Sequence, residues 1–181
     1  MRYATLEIST TWRGMGRAPR RRVLSSIASP RITPCQQTLD LVKKLEDLVR
    51  DHGQAFRGRA VFQPASQASE PRRERVHIAP DFEVWMLSWL PGQVTPIHDH
   101  GGAVTATTVL SGTVLEDRFV RVTDLEARPI WTMARRPGDF DLIAATAIHR
   151  VRSIGHTVTL HLHAPACAEG RTFQAVDGHG T

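Results

Sequence analysis

From residue 82 to the C-terminal end, apolar positions come in short runs with strand-like alternation, cut at brief intervals by turn dipeptides. The runs cover residues 82–90, 94–97, 104–110, 113–122, 129–134, 140–144, 148–154, 157–163 and 172–176. The cuts fall at Pro91-Gly92, Gly101-Gly102, Ser111-Gly112, Pro137-Gly138 and Gly155. Short strands separated by regular turns predict a sandwich or barrel of jelly-roll type. The period changes upstream. Leu41, Leu45, Leu48 and Val49 repeat at helical spacing, which predicts a short N-terminal helix over residues 38–52, capped by Thr38 and stopped by Gly53. Residues 53–80 are polar and irregular and read as a loop leading into the first strand.

Residues 1–35 show no sustained period and are rich in arginine, glycine and proline, so they are expected to form a disordered extension ahead of one domain spanning residues 36–181. Charge supports that division. The whole chain carries +5, but residues 1–31 hold seven arginines against Glu7 alone, leaving sixteen bases and seventeen acids elsewhere. The folded part is therefore near neutral, and its charge gives no reason to expect a nucleic-acid partner. The arginine-rich, acid-poor start also has the composition of a transit peptide. No apolar run approaches a membrane span. The two cysteines, Cys35 and Cys167, offer no disulfide framework, so a cytoplasmic protein is expected. A monomer is expected as well.

The candidate chemistry lies at Pro96-Ile97-His98-Asp99-His100 and, some fifty residues on, Ile148-His149-Arg150. Two histidines separated by one residue in an extended backbone put both imidazoles on one side. With His149 from a distant strand they would make a neutral three-imidazole face with open positions, suited to iron, copper, nickel or zinc rather than calcium or magnesium. Asp99 points the other way by alternation and is expected to be solvated or to support the ligands from behind. His52, His77, His156 and His179 fall outside the pattern and are expected on the surface.

The spacing Gly92-x5-His98-x-His100 with Gly112, followed by Pro137-Gly138-Asp139 and His149, resembles the two cupin motifs. Where cupins usually place a glutamate, this chain has Thr105. Within the cupins that departure resembles the thiol dioxygenases. The stretches Trp85 to Gln93, Ile97 to Gly102, Val109 to Glu116, His149 to Val151 and Leu160 to Pro165 are together similar to a bacterial-type cysteine dioxygenase.

The resemblance implies a single cupin jelly-roll barrel and an Fe(II) site held by His98, His100 and His149. It also implies oxidation of a small thiol, L-cysteine first, by O2 to a sulfinic acid. On the strand beyond, Thr159, His161 and His163 share one face, and His163 stands where similar proteins carry a tyrosine, so a Thr-His-His relay is expected in place of the usual one. The arginine that grips the substrate carboxylate falls at Arg72 in ungapped register, or at Arg75 if the preceding loop is shorter. Two other outcomes stay open. The substrate is 3-mercaptopropionate or another small thiol, or the protein is a non-catalytic metal-binding cupin.

Overall fold

The computed structural model describes residues 36–62, 69–166 and 170–176. The disorder expected of residues 1–35, and Cys35, Cys167 and His179, lie outside the described residues. The described part is mainly β: one helix, α1 (Gln36–Arg59), precedes ten strands. These are β1 (Arg72–Ile78), β2 (Glu83–Trp89), β3 (Ile97–His98), β4 (Val104–Ser111), β5 (Val114–Arg121), β6 (Glu126–Arg135), β7 (Phe140–Ile143), β8 (Ile148–Ser153), β9 (Thr157–Ala164) and β10 (Thr172–Ala175). One sheet runs β1-β2-β9-β4-β7, and the strands β10-β3-β8-β5-β6 close on themselves. All nine expected strands are present, and the fold is the jelly-roll barrel that the turn spacing predicts.

Two expectations need correcting. The helix does not stop at Gly53 but continues to Arg59. Its buried stripe runs Leu41, Leu45, Gly53 and Phe56, and Gly53 lies on that stripe against Val49 and Leu110. Packing of that face against β4 overrides the poor helix propensity of glycine. The helix seats on Ala106, Leu110, Val158, Leu160 and Leu162, the outward residues of β4 and β9, forming the largest apolar cluster.

The second correction is β1, which occupies residues read as loop. Its sequence, Arg-Arg-Glu-Arg-Val-His-Ile, has only two apolar residues and so carries almost no hydrophobic signal. It forms because β2 offers a free edge, pairing Arg72 with Ser88, Arg73 with Leu87 and Arg75 with Trp85. A charged outermost strand also keeps that edge from recruiting other chains. Alternation then sends Glu74 and Val76 toward the helix, where Glu74 meets Arg59, and turns Arg73 and Arg75 to the opposite face beside Trp85.

β9 is buried along most of its length because it lies between β2 and β4. Its even-numbered residues, Val158, Leu160 and Leu162, enter the helix-side core. The odd-numbered residues therefore face the barrel interior, and among them are Thr159, His161 and His163.

Candidate metal centre

Strand pairing brings the three histidines together. β3 pairs with β8 through His98 opposite His149, and His100 follows His98 by one alternation in the turn that ends at Gly102. One ring nitrogen from each of His98, His100 and His149 lies within 4.8 Å of the other two, and this is the one such cluster of potential ligands among the described residues.

Hydrogen bonds fix which nitrogen His98 and His149 offer. His98 Nδ1 donates to the Pro96 carbonyl at 2.9 Å, and His149 Nδ1 donates to Glu116 Oε1 at 2.9 Å, so both present Nε2 lone pairs. His149 Nε2 sits 3.3 Å from His100 Nε2. With His100 Nε2 likewise unprotonated, lone pairs facing at that distance repel unless a cation lies between them, and bonds of about 2.0–2.1 Å to one ion produce such a separation. The rings are held neutral, as ligands must be. Burial lowers the pKa of all three; it pushes His100 down to about 2, with the neighbouring His149 and His98 adding to the shift. The residues fit a divalent transition metal held by three imidazoles. Thr105, fully buried on β4, supplies no carboxylate to this cluster.

The turn carrying His98 and His100 is pinned from behind by Asp99. That residue is not solvated: it is 3 % exposed and accepts from the backbone N–H of Gly101 at 3.1 Å and of Arg171 at 2.8 Å. Arg121 and Arg171 each approach its other oxygen at 3.3 Å. Burial by itself would raise the Asp99 pKa, but these donors hold it below the usual carboxylate range. Gly170 makes the contact possible, because a Cβ there would lie 1.9 Å from the Asp99 carbonyl oxygen. His52, His77 and His156 are exposed, as expected.

A cavity of about 430 Å³ opens on the cluster, lined by His98, His100, His149, His161, His163, Arg73, Glu70, Leu87 and Thr172 among others. Thr159, His161 and His163 share one face of β9, but the expected single relay is two separate pairs. Trp89 Nε1–H donates to Thr159 Oγ1 at 2.9 Å, and the same oxygen is hydrogen-bonded to His161 Nε2 at 2.9 Å. The His163 ring is stacked on that of His161 at 6.4 Å and pairs instead with Thr105, Nδ1 to Oγ1 at 3.3 Å. It stands 5.4 Å from the His100 ring, and burial, reinforced by Arg73, lowers its pKa to about 4.

Arg73 lines the cavity, whereas Arg72 and Arg75 do not. Arg72 has the wrong parity on β1, and Arg75, two residues further along, lies beside Trp85 and 3.5 Å from Glu83. Reading this segment as a loop hid the parity; Val76, the residue of β1 that reaches the helix core, was the signal that could have revealed it. Sequence reasoning also passed over Glu116, a buried acid on the inward face of β5 whose role appears only in the pairing of β5 with β8.

The chain has 20% identity, at a TM-score of 0.50, to an uncharacterized conserved protein with a double-stranded β-helix domain from Klebsiella pneumoniae, covering 62% of this chain and 84% of that one. It has 13% identity, also at 0.50, to an oxalate oxidase in complex with the substrate analogue glycolate, covering 62% of this chain and 59% of that one. At these identities the likeness shows the fold alone. No curated protein matches the chain. No helix among the described residues is long and apolar enough to cross a membrane. The model of one family, cysteine dioxygenase type I, matches residues 32–176, and the chain belongs to that family.

Proposed function

We propose that the protein is a mononuclear iron enzyme that oxidises L-cysteine with O2 to cysteine sulfinic acid. The observation that carries this reading is the convergence of His98, His100 and His149 on one point at the floor of a cavity whose wall holds Arg73 and His163. Iron(II) bound there would supply a centre that activates dioxygen and directs both oxygen atoms to a thiol sulfur.

The chain's own residues bind and orient the substrate. Arg73 offers a planar fork to the carboxylate, and Trp85, whose ring lies 5.3 Å from the guanidinium carbon, limits its swing. Glu70, at the same cavity, complements an α-ammonium. His163 is kept neutral, so it receives or donates a hydrogen bond beside the reacting sulfur without adding charge. The Trp89, Thr159 and His161 chain fixes the orientation of the His161 ring at the cavity.

A second reading has its own support: about 430 Å³ exceeds what the seven heavy atoms of cysteine fill, which favours a larger carboxylate-bearing thiol. Turnover of cysteine, cysteamine, 3-mercaptopropionate and cysteinyl dipeptides by the iron-loaded protein separates the two. Cysteine is expected to give the highest kcat/KM. A dipeptide that exceeds it tenfold transfers the assignment to the larger thiol, and no turnover of any thiol refutes both. His163→Tyr is expected to change the rate or the preferred thiol; the same profile as the wild type would remove His163 from the reaction.

A further inference from the structure

Glu116 lies behind His149, in a set of four buried or half-buried charges that lies outside the substrate cavity. Its Oε1 accepts from His149 Nδ1 at 2.9 Å and forms an ion pair with Arg118 Nη2 at 2.8 Å. Its Oε2 receives Arg135 Nε at 3.0 Å. Both guanidiniums also reach Asp141, Arg118 at 2.5 Å and Arg135 at 2.8 Å. No side chain of the four is more than 19% exposed, and the charges sum to zero.

We propose that Glu116 and Arg118 are opposed positioning residues that tune His149 as a metal ligand; this rests on the three-histidine reading of the site. A carboxylate that accepts the Nδ1 proton fixes the tautomer and pushes electron density toward Nε2, strengthening it as a donor. A guanidinium on that same oxygen competes for the electron density and limits the push. Low local polarity makes both effects larger than they would be in water. Arg118 lies directly across from His149 in the β5–β8 pairing, which puts its charge beside the ligand as well as on the carboxylate.

Opposed tuning predicts opposed signs, which bracing alone does not. Cobalt(II) affinity is measured by chelator competition, together with the cobalt absorption spectrum, for wild type, Glu116→Gln and Arg118→Gln, with thermal unfolding of each apoprotein as the folding check. Glu116→Gln is expected to bind cobalt roughly 10- to 100-fold more weakly. Arg118→Gln is expected to bind it several-fold more tightly and to shift the spectrum in the opposite direction. Weakening by both, or no change in either, overturns the proposal. Should Arg118→Gln not fold, Asp141→Asn replaces it. Deprived of Asp141, Arg118 leans wholly on Glu116, so affinity is expected between wild type and Glu116→Gln, and tighter binding overturns the proposal. A wild-type protein that binds no cobalt refutes the three-histidine reading instead.

Discussion

Replacing Arg73 by glutamine would remove the positive charge nearest the metal cluster on β1 while keeping a side chain of similar reach. A charge-assisted hydrogen bond is worth roughly 1.5–3 kcal/mol. Arg73 is exposed at the cavity mouth, where water competes for the carboxylate, so the lower part of that range applies. About 1.5–2 kcal/mol corresponds to a roughly 10- to 30-fold fall in kcat/KM for cysteine. The contact is the same in ground and transition states, so most of the fall should enter as a raised KM. Initial rates of oxygen uptake over a cysteine range would measure it, with Arg72→Gln and Arg75→Gln as matched controls near wild type. Cysteamine, which lacks the carboxylate, should lose almost nothing. Equal losses with cysteine and cysteamine, or a larger loss from either control, would refute the reasoning.

Other outcomes follow from the packing and the charges. Leu45→Ala empties a fully buried position between α1 and the sheet and should cost about 2–5 kcal/mol in urea unfolding. Asp117 is buried, which alone would raise its pKa, but Thr132 and Arg150 donate to it and Arg152 adds its charge, so its folded pKa lies below the ordinary value of 3.8. A carboxyl with a depressed folded pKa stabilises the fold at neutral pH, and the gain is lost as pH falls from about 4 through the folded value. Asp117→Asn should therefore lower stability at pH 7 and flatten the acid limb of the stability profile. Gly170→Ala places a methyl group against the Asp99 carbonyl and must shift the turn that carries His98 and His100. Weaker metal retention on dialysis against chelator is expected, with little change in helix content.

Much of this was legible in the chain because strands of alternating character separated by glycine turns leave few architectures open. The His-x-His pair was legible for the same reason, since alternation alone places both rings on one side. What stayed hidden depends on partners distant in sequence. Gly53 reads as a helix end in isolation, yet here it lies on the buried helix face beside Leu110. β1 has almost no hydrophobic pattern of its own, and its existence is a property of the β2 edge, so the arginine facing the cavity could not be chosen by register counting. Thr159, His161 and His163 were correctly placed on one face, but Trp89 and Thr105, which divide them into two pairs, come from β2 and β4. The role of Glu116 likewise becomes visible only when β5 lies beside β8.

The central claim is a dioxygenation at sulfur, and isotope incorporation tests it most directly. Iron-loaded protein is supplied with cysteine under 18O2, and the product is identified by mass. One O2 should be consumed per thiol, giving cysteine sulfinic acid with both oxygen labels. Disulfide with no label in the product, or no thiol-dependent oxygen uptake by a fully loaded sample, would contradict the account.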